Sequence, residues 1–349
     1  AQRIDQRVPV AEEGDDYMTD WQNWLVVHVG LDVRAGGDPG QNFVPGATRF
    51  IQTPRDLATY VHFDALYQAY LHACLILLGM GAPTDPCFNH LSGGRNAFPS
   101  ASGHPGQEPN AGGFALYGGP HILSLVTEVA TRALKAARFQ KFNNHLRLRP
   151  EALAARLSTD HSPDAAFPQL NEEFNTMRAS IQDTVDAINA QNGNNDALLP
   201  MAFAEGSPMH PAYAAGHASV AGACVTILKA YFDTGAVFVT GPRGTSFRHA
   251  DANDTAIAYE AHQNGAALRT VPVDHPLTLE GELTKLAANI SIGRNMAGVH
   301  YFSDYFDSLR MGEAVAIGML EEQALCYPTD PFVMSLQTFD GETVRIGAR

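Results

Sequence analysis

The segment that decides the fold is the run of residues 215–232, AGHASVAGACVTILKAYF. Its pattern predicts a helix that begins near the Gly-His pair and continues to the aromatic pair at its end. The small residues Ala218, Ala221, Gly222 and Ala223 let another backbone come close to the helix. We therefore expect other helices to pack tightly against it.

Long helical patterns alternate with loops rich in Gly, Pro and Asn on both sides of this segment, and strand patterns are scarce. The pattern over 55–80 is apolar on most of its surface, as expected for the centre of a bundle, and it ends at Gly81. Pro150 disfavours helical geometry at Arg149, so the helix predicted over 121–148 should stop there. Further helices are predicted over 174–190, 279–295 and 305–326.

The expected fold class is all-α, a helical bundle with long loops and a few short strands. Residues 1–349 are predicted to form a single catalytic domain that carries two long loop insertions, 81–120 and 233–276, the second with room for short strands. The first insertion is too long for an ordinary connection, so it is either functional or mobile.

Composition and charge exclude several classes of partner. Of the 349 residues, 45% are hydrophobic, which is enough to fill a substantial core and excludes disorder as the main state. The 23 Lys and Arg against 37 Asp and Glu give a net charge of −14, which repels both phosphate backbones and anionic lipids. We expect a soluble protein with no nucleic-acid or membrane partner. The sequence does not decide its cellular compartment, and an extracytoplasmic location is one of the options.

The four cysteines form no CxxC pair, which excludes a zinc ribbon or a thioredoxin-type centre. Cys74 and Cys224 lie in apolar helical patterns and are expected to pack as small hydrophobes. Cys87 and Cys326 flank loops, and the sequence does not decide whether they are bridged. The chain begins at Ala1 without a Met or an apolar signal segment, which suggests a processed, trimmed or partly ordered product.

The first group of residues with chemical potential is basic. Arg138, Lys141 and His145 are three and four positions apart, which places them on one face of a helix. Arg149 follows near the end of that helix, close enough for its long side chain to converge with that of Lys141. The ordinary interpretation is a solvated basic face. Apolar neighbours such as Phe142 favour a buried cation cluster instead, and such a cluster requires an anion.

The second group surrounds the start of the 215–232 helix. The N–H of Gly216 and those that follow point outward with the positive end of the helix dipole, which is an anion site, and glycine lets the anion approach the backbone. His210 and His217 bracket this turn. Either histidine alone is more often a surface or capping residue, but the pair beside a helix N-terminus indicates acid–base chemistry.

The third group is Arg294, His300 and Asp304. On one helix Arg294 and His300 would point apart, but Gly298 between them supplies a break as a helix C-terminal glycine. If a new turn starts at His300, the carboxylate of Asp304 orients the imidazole and fixes which nitrogen stays free as a ligand or nucleophile.

Together the three groups form a cage for a tetrahedral oxyanion. The patterns Lys-x7-Arg-Pro, Gly-His at a helix start and Arg-x5-His-x3-Asp resemble the signature shared by vanadium-dependent haloperoxidases and the type 2 phosphatidic acid phosphatase superfamily. Four longer stretches are similar to the vanadium bromoperoxidases of red algae and cyanobacteria, and the resemblance extends over nearly the whole chain. They are RDLATYVHFDALY (55–67), LVTEVATRALKA (125–136), LPMAFAEGSP (199–208) and IGRNMAGVHYFSD (292–304).

This resemblance implies a role for each residue of the cage. His300 would bind vanadium axially, and Lys141, Arg149, Arg294 and the Gly216 N–H would neutralise the equatorial oxygens of vanadate. Lys141 would also polarise bound peroxide.

The resemblance assigns the remaining residues to proton and halide handling. His217 would hydrogen-bond the apical oxygen and move a proton. His210 stands where chloroperoxidases carry an aromatic residue, and Arg138 would face the halide, so both indicate a bromide enzyme. Asp304 would support His300.

By the same resemblance the chain is a bromoperoxidase that oxidises bromide and iodide with hydrogen peroxide to hypohalous acid and halogenates small organic acceptors. The cofactor is vanadate, with phosphate in the apo site and calcium as a structural divalent cation. A homo-oligomer is implied, either a dimer or a dodecamer built from dimers. An acid phosphatase with a His nucleophile is the alternative use of the same cage, and a non-catalytic oxyanion-binding or assembly subunit is the third.

Two features depart from the family pattern. Ala215 stands where the family has Ser, so one vanadate oxygen loses a hydroxyl donor, and the substitution is either natural or engineered. The algal relatives also have a long region ahead of the part that matches Ala1 onward, so this chain, matching their C-terminal part, is either a shorter form or lacks that segment.

Overall fold

A computed structural model describes residues 4–31, 33, 43–88, 91, 114–159, 168–241, 244–249 and 255–347. Helices dominate this part of the chain. The α-helices are α1 (Trp21–His28), α2 (Pro54–Phe63), α3 (Gln68–Met80), α4 (Gly119–Phe139), α5 (Pro150–Ser158), α6 (Pro168–Ser180), α7 (Gln182–Asn192), α8 (Gly216–Tyr231), α9 (Leu279–Met296) and α10 (Phe302–Ala324).

Helix α8 is the centre of the bundle, buried from Ala218 to Tyr231 between α4, α9 and α10. A Cβ atom at Gly222 would lie 1.9 Å from the carbonyl oxygen of Leu309 on α10, and one at Gly312 on α10 would lie 2.0 Å from the carbonyl oxygen of Ser219. The two backbones therefore touch where both helices carry glycine. The predicted helical bundle, with close packing on the 215–232 segment, is confirmed.

The helix predicted over 55–80 is wrong in one respect, because it is two helices. α2 begins with a Thr53 capping box and ends at Asp64, whose backbone is extended (φ −71°, ψ 148°), and α3 leaves at 93° to α2. The break turns the Asp64 carboxylate toward His217, which it contacts at 2.9 Å. A contact between distant segments thus overrides local helical propensity.

The helix predicted over 121–148 ends earlier than expected. After Phe139 the chain makes a π-helical turn over Gln140–His145, and Leu146 is left-handed (φ 45°). Pro150 has the predicted effect, since Arg149 before it is extended (ψ 155°). The helix predicted over 174–190 is likewise divided into α6 and α7. Gly298 (φ 83°) separates α9 from α10, as its position indicated.

The described strands pair as four two-stranded antiparallel sheets. Two of them occupy the interval 233–276, which is more regular than the loop insertion predicted there, with Phe238 opposite Phe247 in one sheet and Tyr259 opposite Thr270 in the other. The predicted insertion 81–120 lies largely outside the described residues. The strand pairs are β1–β2 (Arg7–Ala11 and Phe43–Phe50), β3–β4 (Ala236–Gly241 and Gly244–His249), β5–β6 (Ala256–His262 and Ala267–Val273) and β7–β8 (Val333–Gln337 and Thr343–Gly347).

Within the described part of the chain, no single helix has the length and apolar character to cross a membrane. The pair α2 and α3 meets those criteria only when taken together across its 93° bend. Cys74, Cys87, Cys224 and Cys326 are all free, and Cys74 and Cys224 are buried as expected for small hydrophobes.

Candidate active site

A cavity of about 380 Å³ opens where the end of α4, the π-helical turn, the start of α8 and the α9–α10 junction meet. Eight of the residues singled out in the sequence line it, although they come from segments far apart in the chain. They are Arg138, Lys141, Arg149, His210, Gly216, His217, Arg294 and His300. His145 does not line the cavity. The π-helical turn rotates it onto the exposed surface, where it contacts the Tyr213 ring, so the prediction that it shares a face with Lys141 is wrong.

Lys141 is buried on the floor of this cavity. Its Nζ donates hydrogen bonds to the carbonyl oxygens of Pro211 (2.6 Å) and Ala212 (3.2 Å). Burial, with the positive charge of Arg149 next in importance, lowers the pKa of Lys141 to about 7. A lysine so placed holds its proton weakly until an anion arrives.

Arg149 and Arg294 are the other two buried cations. Arg149 donates to the carbonyl oxygens of His210 and Val299, each at 2.8 Å, and lies 3.1 Å from Nε2 of His300. Burial and the charge of Arg294 lower the pKa of Arg149 to about 10, so it stays charged at neutral pH. Arg294 donates to the Val61 carbonyl at 3.3 Å, while its Nε is buried without a hydrogen-bond partner.

His300 is held from behind by Asp304. Nδ1 of His300 lies 3.0 Å from Oδ2 of Asp304, and the same oxygen accepts the Tyr301 N–H as the cap of α10. The neutral ring therefore carries its proton on Nδ1, and the lone pair of Nε2, which lines the cavity, accepts from Nη1 of Arg149. Burial lowers the pKa of His300 to about 3, so the ring is neutral across the physiological range.

His217 has a carboxylate partner that sequence reasoning missed. Its Nε2 lies 2.9 Å from Oδ1 of Asp64, a side chain only 2% exposed. Burial lowers the pKa of His217, and the hydrogen bond to Asp64 opposes that shift. No spacing signal could have found Asp64, because it lies 153 positions away and inside a segment predicted to be one helix.

His210 and Arg138 stand at the cavity mouth. Nδ1 of His210 accepts a hydrogen bond from Nη2 of Arg149 at 2.9 Å, and desolvation together with the charges of Lys141 and Arg149 lowers its pKa to about 4. The guanidinium of Arg138 lies 4.7 Å from the centre of the Phe142 ring, a cation–π contact that leaves the charge exposed.

Ala215 and Gly216 form the start of α8. Ala215 is the N-cap and is 1% exposed, and its N–H donates to Oγ of Ser308 at 2.9 Å. Gly216 is the first helical residue, so its N–H has no partner within the helix. The helix N-terminus therefore adds a backbone donor to the three cations.

Comparison with known proteins identifies relatives of this chain. The sequence model of a protein family described as the VCPO second helical-bundle domain matches residues 171–325. Across 98% of its length, the chain is 46% identical to a vanadium-dependent bromoperoxidase of Corallina pilulifera and 45% identical to that of Corallina officinalis. The chain belongs to the vanadium-dependent haloperoxidase family.

A solved structure supports the same family fold. The homohexameric second vanadate-dependent bromoperoxidase (AnII) from Ascophyllum nodosum matches at a TM-score of 0.67 and 25% identity, covering 98% of this chain and 56% of that one. The chain covers 53% of each Corallina protein, about half the length of the curated relatives that it matches.

The residues of this vanadium-dependent haloperoxidase family member fit an oxyanion. In the described part of the chain, none of the three buried cations forms a direct salt bridge with a carboxylate; the nearby Asp64 is hydrogen-bonded to His217, and Asp304 to His300 and Arg147. The unpartnered Nε of Arg294 is a further donor for an anionic oxygen. Among the described residues no group of three His, Cys, Asp or Glu side chains could chelate a metal ion, so the donor set suits an oxyanion rather than a divalent cation.

Proposed function

We propose that the chain carries the vanadate-binding centre of a bromoperoxidase, which converts bromide, hydrogen peroxide and a proton into hypobromous acid and water. Iodide would react in the same way, and small organic molecules would accept the halogen. The observation that carries this proposal is the placement of three buried cations around one neutral, oriented imidazole. An anionic tetrahedral group with a coordination site for nitrogen satisfies both features at once.

The cage divides into a ligand and its charge partners. Nε2 of His300 would bind vanadium, and Lys141, Arg149, Arg294 and the Gly216 N–H would hold the vanadate oxygens. When bound, vanadate(V) supplies a Lewis acid that activates peroxide for two-electron oxidation of a halide. Burial of the cations strengthens their attraction for the anion because little water screens them.

Proton transfer is assigned to His217 and His210. The hydrogen bond to Asp64 keeps a proton on Nε2 of His217, so Nδ1 is the basic atom of the neutral ring. Asp64 also stabilises the imidazolium that forms when His217 takes up a second proton. His210 accepts from Arg149 at Nδ1 and stays neutral at working pH, so its Nε2–H is a hydrogen-bond donor at the cavity mouth.

Halide selection is assigned to Arg138. Its guanidinium lies beside Phe142 on the apolar side of the cavity and offers a positive charge to an incoming anion. A large polarisable halide such as bromide loses less hydration free energy at such a surface than chloride does, which is consistent with a bromide enzyme.

The wider organisation follows the relatives. The homohexameric neighbour supports a homo-oligomer, for which we propose dimers as the building block of a dodecamer. We take 1–349 as one helical catalytic unit that corresponds to the C-terminal part of longer family members. Phosphate in the apo site and a structural calcium ion also remain proposals.

Reconstitution with orthovanadate tests the function. Metal-free protein should gain bromide-oxidising activity on addition of orthovanadate and hydrogen peroxide, and inorganic phosphate should compete. His300→Ala should abolish the gain, whereas His275→Ala, which removes an exposed histidine, should not. Full activity in protein shown to be free of vanadium would refute the proposal. Hydrolysis of p-nitrophenyl phosphate without halide oxidation would establish the acid phosphatase alternative, which the named relatives do not favour.

A further inference from the structure

Arg147 bridges two parts of the site, and the cage as described assigns no role to it. It lies on the short connection between the π-helical turn and α5, two residues before Arg149. Its Nη1 donates to Oδ1 of Asp304 at 2.8 Å and to Oγ of Ser303 at 2.9 Å, and its guanidinium lies 4.2 Å from the centre of the Tyr301 ring. All three contacts are made to the start of α10.

These contacts complete the coordination of the Asp304 carboxylate. Oδ2 accepts from His300 and from the Tyr301 N–H, and Oδ1 accepts from Arg147. The Asp304 side chain is 0% exposed beneath Arg147, which is itself 39% exposed, so in the intact protein both carboxylate oxygens are bonded to protein groups. With both oxygens bonded, the carboxylate cannot rotate without breaking a charge-assisted hydrogen bond. Arg147 therefore helps to fix the carboxylate that orients the His300 ring, whose Nε2 is held on the other side by Arg149.

The backbone of Arg147 connects to the segment that accepts hydrogen bonds from Lys141. Its carbonyl oxygen accepts the Ala212 N–H at 2.9 Å. The carbonyl oxygen of Ala212 in turn accepts a hydrogen bond from Nζ of Lys141. One residue thus joins the segment that holds Lys141 to the helix start that holds His300.

We propose that Arg147 is a positioning residue of the oxyanion site, which acts through Asp304 to hold Nε2 of His300 toward the cavity. Its effect on oxyanion affinity rests on the proposed function. Its effect on the His300 ring does not, because the hydrogen bonds that link Arg147, Asp304 and His300 are all between protein groups. Loss of the group that is hydrogen-bonded to a histidine ligand typically costs about 10- to 100-fold in metal affinity; Arg147 acts through that group, so we expect the low end of this range.

Two substitutions and a matched control test this proposal. Arg147→Gln removes the charge and the paired hydrogen bonds, and Arg147→Lys keeps the charge without the planar fork or the stacking on Tyr301. Arg132→Gln removes an arginine whose ion pairs, with Glu128 and Glu322, lie on the surface. All variants are compared with wild type for the ring ¹⁵N signals of His300 without anion, and for the dissociation constants of orthovanadate and inorganic phosphate.

We expect wild type and Arg132→Gln to show one His300 tautomer with the proton on Nδ1. Arg147→Gln should show exchange between tautomers and about tenfold weaker orthovanadate binding. Arg147→Lys should change both properties in the same direction by a smaller amount, and it carries the test if the Gln variant does not fold. His300 signals and dissociation constants that are unchanged in both variants would overturn the proposal.

A double-mutant cycle separates positioning from simple charge. In a His300→Ala background, Arg147→Gln should scarcely change phosphate binding, because the group that it positions is absent. An equal loss in both backgrounds would show that Arg147 acts by long-range attraction and would also overturn the proposal. If wild type binds neither oxyanion, the proposed function fails, while the ring signals of the anion-free protein still decide whether Arg147 positions His300.

Discussion

Lys141 should take up a proton when an oxyanion enters the cavity. In the anion-free protein, burial and the neighbouring positive charges lower its pKa from 10.5 to about 7. A bound anion opposes that shift, because it attracts the buried ammonium directly and offsets the charges of Arg149 and Arg294. Binding and protonation of Lys141 are therefore linked.

The size of the effect follows from the pKa. At pH 8 a group with a pKa of about 7 is about 10% protonated, so binding that restores an ordinary lysine pKa takes up about 0.9 proton per site. The affinity for the anion should then fall nearly tenfold for each pH unit above 7, which is about 1.4 kcal/mol per unit.

The lowered pKa of Lys141 also affects the stability of the fold. Between pH 7 and 10.5 the unfolded chain binds the extra proton, so the anion-free protein gains stability as pH rises through that window.

Sulfate is the suitable probe, because it is tetrahedral and does not titrate near pH 8. Calorimetric titrations in buffers of different ionisation enthalpy measure the protons taken up on binding. Lys141→Arg provides the matched control, since an arginine is already charged and should bind sulfate without proton uptake. Lys141→Met should bind weakly and also without uptake.

Three outcomes would contradict the reasoning. Wild type could bind sulfate without proton uptake, its affinity could be independent of pH between 7 and 9, or the Met variant could retain the full uptake. The last result would assign the proton to another group, with His217 the first candidate because its pKa is also lowered by burial.

Three further predictions concern single positions. His300→Ala should lose vanadium on gel filtration because the ligand nitrogen is gone, whereas His217→Ala should retain vanadium and lose turnover. Equal vanadium content in wild type and His300→Ala would show that the vanadium ligand is wrongly assigned to His300. Ala215→Ser adds a hydroxyl at a position that is 1% exposed, so the variant should bind vanadate more tightly or oxidise bromide faster by about tenfold, which corresponds to about 1.4 kcal/mol of free energy. Without an anion its melting temperature should be lower than that of wild type. A variant no better than wild type in both measurements would mean that another group already serves that oxygen. Gly222→Ala places a Cβ 1.9 Å from a carbonyl oxygen of α10 and should cost about 3 kcal/mol or more in urea unfolding, whereas Gly318→Ala, with open space around it, should not destabilise the protein.

Local sequence patterns were sufficient for much of the fold. The small residues of the 215–232 segment predicted close helix packing, Pro150 predicted an extended Arg149, and Gly298 predicted a break before His300. Each prediction depends on the conformational freedom of one residue or on the periodicity of one helix. Both are properties of a short stretch of chain. The residue types of the cage were recognisable for the same reason, since each motif is short.

Tertiary structure alone decided how those residues act. The helix over 55–80 breaks at Asp64 because the carboxylate reaches a histidine 153 positions away, and no local propensity encodes that contact. Arg147 reaches Asp304 across 157 positions in the same way. The sequence identifies Lys141 only as a basic residue on a helix. Its pKa near 7 comes from its removal from water beside two other cations, and that environment exists only when the distant segments have packed together.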